Sequence, residues 1–153
     1  MLANRGANGI DGTVSSAFGV AAASDGPVVL LTGDVTLAHD LGGLLAARRT
    51  DLKLTIVLIN NDGGGIFNFL AIAKETDVFE SQVATPTGLD FSLAAKLFDC
   101  AYDSADDIDS FAGALMAALK RDQTTIIEVR TERVANRVLH AAVESAALAA
   151  LRA

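Results

Sequence analysis

Two unbroken apolar stretches dominate the hydrophobic pattern, and each stops at a polar cluster. Val28, Val29, Leu30, Leu31 and Thr32 run without polar alternation into Gly33–Asp34. Leu54, Thr55, Ile56, Val57, Leu58 and Ile59 run the same way into Asn60–Asn61–Asp62–Gly63–Gly64–Gly65. Short runs of β-branched and leucine side chains predict strands buried on both faces. A third strand is expected over 125–129, with Ile126, Ile127 and Val129 inside, and a weaker one over 100–102. Between them apolar residues recur at helical spacing. Val14, Phe18 and Ala21–Ala22 mark a helix over 11–24, and Leu41, Leu44 and Leu45 another over 40–49. Phe91, Leu93, Ala94 and Leu97 mark a third over 90–98, and Ile108, Phe111, Leu115 and Leu119 a fourth over 107–120. A long alanine-rich helix over 134–152 carries Val138, Leu139, Val143, Leu148 and Leu151. Residues 85–88 read as a loop, 78–83 fit neither pattern, and nothing repeats.

Buried strands alternating with amphipathic helices predict an α/β fold: a doubly wound, mostly parallel sheet with helices on both faces. Right-handed crossovers put all strand C-termini at one edge, where open α/β sheets bind ligands. Both polar clusters fall there. A carboxylate at one strand end and a carboxamide at the next can share a hard divalent cation, which takes oxygen ligands. Asp34 offers a charged oxygen, Asn61 an amide oxygen and Gly63 a backbone carbonyl. Gly63, Gly64 and Gly65 let the backbone approach an anion, and a helix opening near Ile66–Phe67 would aim N–H groups at it. The pattern reads as a metal–diphosphate site. The competing reading for either cluster alone is a helix cap or a turn; the meeting of both at neighbouring strand ends weighs against it.

The chain has 153 residues, 51% of them hydrophobic, which suits one domain with a substantial core. A net charge of −7 and the absence of Trp argue against a nucleic-acid surface. No apolar run approaches the roughly 20 residues of a membrane span. Met1 leads straight into a polar, glycine-bearing stretch, so no leader is expected. The single cysteine, Cys100, excludes an intramolecular disulfide and fits a reducing, cytoplasmic setting; it reads as a small core residue. Asp103, Asp106, Asp107 and Asp109 resemble a metal cluster, but acids leading into a helix N-terminus explain them more simply. His39 reads as a surface group at a helix end, and His140 as solvent-facing or packed on the sheet. The glycine-dense stretch Asn4–Arg5–Gly6–Ala7–Asn8–Gly9–Ile10–Asp11–Gly12 has almost nothing ahead of it to hold its shape. The expectation is a fragment of a longer protein, lacking the first strand of the sheet.

Gly33–Asp34 followed by Asn60–Asn61 resembles the cofactor motif of thiamine-diphosphate enzymes, which opens Gly-Asp-Gly and closes Asn-Asn. The wider match runs through residues 4–12, Gly33–Asp34–Val35–Thr36 with His39–Asp40, and residues 60–67. It resembles the 2-succinyl-5-enolpyruvyl-6-hydroxy-3-cyclohexene-1-carboxylate synthases of menaquinone biosynthesis. That family also departs from glycine at the third motif position, here Val35. The resemblance implies that residues 1–153 form the C-terminal diphosphate- and Mg²⁺-binding domain of a longer enzyme with the thiamine-diphosphate-binding fold. Asp34, Asn61 and the Gly63 carbonyl would hold Mg²⁺, with Mn²⁺ as an alternative ion. Gly33, Val35, Thr36, Gly64 and Gly65 would line the diphosphate. Ile10 would sit beneath the cofactor rings, with Asn8 and Gly9 beside the aminopyrimidine. Arg5 would pair with a substrate carboxylate, and Ile66, Phe67 and Leu70 would form the apolar wall.

The same resemblance implies thiamine diphosphate as the cofactor for a decarboxylative addition of 2-oxoglutarate to isochorismate. It implies no catalytic residue in this chain, because the ionising glutamate belongs to a pyrimidine-binding domain of another subunit in a homodimer or homotetramer. No nucleic acid or membrane is expected as a partner. Two alternatives stay open: another carboligase or decarboxylase such as an acetolactate synthase, and a non-catalytic α/β module that binds a phosphorylated ligand.

Overall fold

Strand pairing follows the apolar runs. The computed structural model describes residues 1–3 and 9–152. Four strands, β1 (Val29–Gly33), β2 (Thr55–Asn60), β3 (Ala101–Ala105) and β4 (Thr125–Arg130), form one all-parallel sheet in the order β1-β2-β4-β3. The helices are α1 (Thr13–Ala22), α2 (Asp34–His39), α3 (Leu45–Arg49), α4 (Phe91–Leu97), α5 (Ile108–Ala118) and α6 (Arg133–Leu151). One sheet face buries Leu54, Ile56, Leu58 and Ile126 against Val14, Phe18, Leu37, Leu44, Phe91 and Ala95. On the other face Ala105 and Ile127 meet Phe111, Leu115 and Ala118 of α5. Helices therefore cover both faces, as two-sided apolar strands require.

β1 departs from the expected two-sided burial. It is an edge strand, and Val29 and Leu31 are 46% and 66% exposed on the face that α5, packed over β3 and β4, does not reach. The helix expected over 40–49 is broken instead. α2 starts directly after β1, a single 3₁₀ turn follows at Leu41–Leu44, and α3 adds five residues. Gly42 and Gly43 weaken a continuous helix, and Gly43 lies where the turn crosses α1: a Cβ there would meet Ser15 Oγ at 2.7 Å. The carboxylate of Asp40 accepts the Ser15 N–H at 2.8 Å at the same crossing. Residues Phe79–Ala84 form a π-helical turn with Phe79 and Ala84 buried, which neither a strand nor an α pattern anticipates.

Several apolar helix positions expected to face the core are exposed: Leu45, Leu93, Leu97, Ile108 and, on α6, Val138, Leu139, Val143, Leu148 and Leu151. Spacing finds a helix but not what covers it. The long helix α6 buries no residue and touches the turn at 65–69, where His140 meets the Phe69 ring edge-on at 5.2 Å. His140 is exposed, as one of its two expected placements has it, and its ring contact is with that turn and not the sheet. His39 closes α2 at the surface, its Nδ1 3.8 Å from Asp11.

The acidic run before α5 is a cap. Asp107 accepts the Ser110 N–H at 2.7 Å in a reciprocal capping box, and Asp103 pairs with Arg121. Among the described residues no group of three or more His, Cys, Asp or Glu side chains suits a metal ion. Asp90 caps α4 and Glu132 caps α6 in the same way, through backbone N–H groups of Ser92, Val134 and Ala135. Hydrogen bonds to these charged forms hold the carboxyls of Asp90, Asp107 and Glu132 below their ordinary range.

Depressed carboxyls stabilise the fold above their unfolded pKa, about 4, and lose that contribution as pH falls through the lower folded values. Urea midpoints measured from pH 5 down to 2 should therefore decline. Asp107→Asn, which still caps but does not titrate there, should shallow the decline. Cys100 is 8% exposed and its thiol is pushed up to about 11 by burial, then by the Asp99 charge. Thiolate being the reactive form, iodoacetamide at pH 8 should label the folded protein slowly and the urea-unfolded protein fast.

Candidate functional site

Parallel pairing brings the two motif loops together. Gly33, the last residue of β1, sits beside Ile59 of β2, so the chain leaves the sheet at Asp34 on one strand and at Asn61 on its neighbour. Asp34 is the first residue of α2 and is 2% exposed. Its Oδ2 accepts the Gly63 N–H at 2.7 Å. Burial raises the Asp34 carboxyl above its ordinary range, although backbone N–H groups of Gly63, Asp34, Val35 and Asn61 pull the other way. A carboxylate so placed favours a positive partner.

The loop after β2 turns on two residues with positive φ, Asp62 at 56° and Gly63 at 124°. The glycine at 63 is required twice, since a Cβ there would also meet the Ala84 carbonyl oxygen at 2.5 Å. The turn directs the inward end of the Asn61 amide to 2.6 Å from Gly63 O and 3.2 Å from Asp34 Oδ1. With its oxygen inward, the amide presents three oxygens from three residues to one point. With its nitrogen inward, it donates to both neighbours. The spacing suits either state, because adjacent oxygens on an octahedral Mg²⁺ stand about 2.9 Å apart. The residues present thus fit a hard divalent cation, and Asp34, Asn61 and the Gly63 carbonyl would hold it.

The expected anion contacts look different. Gly64 N–H donates to Ala84 O at 2.7 Å and Gly65 N–H to Gly63 O at 2.8 Å, so in this conformation both amides are engaged within the loop. Gly33, Val35 and Thr36 lie half-buried at the start of α2. A 3₁₀ turn, Gly65–Phe69, follows this loop; its Ile66 and Phe67 and the adjoining Leu70 lie at the surface, 74%, 38% and 55% exposed. These three are therefore not core residues. Ile10 is half-buried and Gly9 exposed ahead of α1. Arg5 and Asn8 lie outside the described residues.

Two residues next to the site were not singled out from the sequence. Arg133, the first residue of α6, packs its Cγ near Gly65 and donates to Glu80 at 2.8 Å. Glu128, on β4, is 1% exposed and is bonded to Asn60, Tyr102 and Arg130. The available signal was a lone glutamate inside the run Ile126–Ile127–Glu128–Val129.

Residues 2–129 match the family described as thiamine pyrophosphate enzyme, C-terminal TPP binding domain. A 2-succinyl-5-enolpyruvyl-6-hydroxy-3-cyclohexene-1-carboxylate synthase from Listeria innocua is 47% identical over 153 residues, 100% of this chain and 26% of that protein. One from Salinibacter ruber is 47% identical over 144 residues, 94% of this chain and 24% of that protein. The chain thus spans about a quarter of the length of these relatives. Among solved structures, a thiamine diphosphate-dependent 4-hydroxybenzoylformate decarboxylase from Rhodococcus jostii has a TM-score of 0.66 at 27% identity, over 76% of this chain and 22% of that one. Benzoylformate decarboxylase from Polynucleobacter necessarius has a TM-score of 0.70 at 20% identity, over 83% of this chain and 24% of that one, and it supports the fold alone. Fold, motif loops and sequence agree: the chain belongs to the thiamine pyrophosphate enzyme family, as its C-terminal TPP-binding domain.

Proposed function

We propose that this chain is the diphosphate-binding domain of a Mg²⁺-dependent synthase that adds decarboxylated 2-oxoglutarate to isochorismate in menaquinone biosynthesis. The observation that carries the reading is the convergence of the Asp34 carboxylate, the Asn61 amide and the Gly63 carbonyl at adjacent strand ends. The identity to the Listeria and Salinibacter synthases supports the substrate assignment. Thiamine diphosphate, when bound, supplies the electron sink for decarboxylation and carbon–carbon bond formation. This chain's residues do the holding. Asp34, Asn61 and the Gly63 carbonyl would hold the ion, which would supply positive charge to the diphosphate, and Val35 and Thr36 would border that group. By the family resemblance Ile10 would support the rings, and Asn8 and Gly9 are assigned to the aminopyrimidine. Ile66, Phe67 and Leu70 exclude water from the substrate side, and Arg5 is assigned a substrate carboxylate, whose planar shape suits a guanidinium.

In this reading the chain works beside a pyrimidine-binding domain of another subunit, in a homodimer or homotetramer in the cytoplasm. The glutamate that ionises the cofactor comes from that domain. A purified polypeptide of residues 1–153 should then give no carboligation product from 2-oxoglutarate and isochorismate, and product formation by it would refute the divided site.

The metal assignment has its own test. In the protein that carries this chain, Asp34→Ala should weaken Mg²⁺-dependent binding of thiamine diphosphate by roughly 100-fold or more, as loss of a buried charged partner does. Calorimetry with and without Mg²⁺ reads it directly. Equal affinity in Asp34→Ala and the unmodified protein would remove the metal site. Product analysis with isochorismate against pyruvate as the second substrate separates this synthase from an acetolactate-type carboligase.

A further inference from the structure

A second polar network lies one residue away from the metal ligands, on the sheet face that carries Leu58. Glu128 sits on β4 among apolar side chains, and its carboxylate is nearly closed to solvent. Tyr102 of β3 donates its hydroxyl to Oε2 at 2.6 Å, and Asn60 of β2 donates its amide to Oε1 at 2.8 Å. Arg130, itself largely exposed, reaches back to Oε1 at 2.9 Å through Nε. Burial first, and the bond to Glu128 second, raise the Tyr102 hydroxyl above its ordinary range. Three strands are thus tied together at one carboxylate.

The network continues into the loop. The other end of the Asn60 amide, Oδ1, accepts the Asp62 N–H at 3.0 Å. Asp62 is the non-glycine residue held at φ 56°, and Gly63 follows it at 124°. Left-handed backbone at a non-glycine residue is unfavourable and persists only where neighbours enforce it. Asn60 is the neighbour bonded to this turn, and it can accept from the Asp62 N–H in one orientation only. Its nitrogen must face a carboxylate for its oxygen to face the Asp62 N–H. Glu128 supplies that carboxylate.

We propose that Glu128 is a positioning residue for the metal loop: through Asn60 it fixes the Asp62–Gly63 turn that aims the Asn61 amide and the Gly63 carbonyl at the ion. Outer-shell groups of this kind contribute strongly to metal affinity without touching the metal. The inference rests on the metal reading above, and the two fail separately.

The test uses the protein that carries this chain, with Mn²⁺ as the probe in the presence of thiamine diphosphate. Free Mn²⁺ is followed by electron paramagnetic resonance, and thermal midpoints are recorded in parallel. Glu128→Ala should weaken Mn²⁺ binding tenfold or more, and Glu128→Gln should recover most of that loss, because its amide oxygen still accepts from Asn60. Ile127→Val, a buried truncation beside Glu128 on β4, should lower the midpoint and leave Mn²⁺ affinity within about twofold. Asn60→Ala cuts the same link from the other end and decides the matter if Glu128→Ala does not fold; it too should lose tenfold or more. Mn²⁺ affinity unchanged in folded Glu128→Ala, or in Asn60→Ala, overturns the positioning role while Asp34→Ala still abolishes binding. Unchanged binding in Asp34→Ala would instead overturn the metal site itself.

Discussion

The hydrogen bond from Gly63 N–H to the buried Asp34 carboxylate joins the ends of two adjacent parallel strands, and the site depends on it. A carboxyl at 2% exposure is unfavourable in its charged form without donors or a cation. The sequence answers that demand in the backbone. The chain must double back after β2 tightly enough to bring the N–H of Gly63 to Asp34 and its carbonyl to the Asn61 amide that also meets Asp34. Only a residue without Cβ fits at 63, where both φ and the Ala84 carbonyl exclude a side chain. The π-helical turn that ends at Ala84 is part of the same device, since its carbonyl also holds Gly64 N–H.

Much of this was legible in the sequence because it rests on short-range rules. Uninterrupted apolar runs located β1, β2 and β4 to within a residue, and the weaker run over 100–102 marked the start of β3. Parallel topology then placed Asp34 and Asn61 together without any knowledge of distance. What escaped depends on long-range contacts or on irregular backbone. α2 is too short and too rich in β-branched residues to announce itself, and Gly42–Gly43 broke a helix that periodicity alone would have run through. Exposure on α6 followed the same logic. Amphipathic spacing states that an apolar stripe exists, but burial depends on a neighbour, and among the described residues α6 buries none of its own.

Asn60 and Asn61 illustrate how one dipeptide does two jobs. Successive side chains at the end of a strand point to opposite sides. Asn60 therefore turns to the face of Leu58 and Glu128, where its amide joins sheet to loop. Asn61 turns to Asp34 and Gly63. A pattern of two asparagines reads from sequence as one motif, but its chemistry divides. The first is bonded into the protein at both ends of its amide, and the second turns its amide toward two oxygens, Gly63 O and Asp34 Oδ1.

That division bears on how an anion would be held. Glycine-rich loops commonly bind phosphate through free amides, yet here the amides of residues 63, 64 and 65 are spent on Asp34, Ala84 and Gly63. Facing the Asn61 amide are two oxygens, Gly63 O and Asp34 Oδ1. Under the proposed reading such a loop would hold a diphosphate through a divalent cation standing between them. Affinity for the anion would then follow affinity for the ion, and the residues that shape the turn would matter as much as those that touch the cofactor. Next to this polar point the exposed side chains of Ile66, Phe67 and Leu70 supply apolar surface without competing donors. Under the proposed reading, a charged anchor at one end and an apolar wall at the other would orient a bound molecule along one direction, so that a single reacting carbon could be presented to a second substrate.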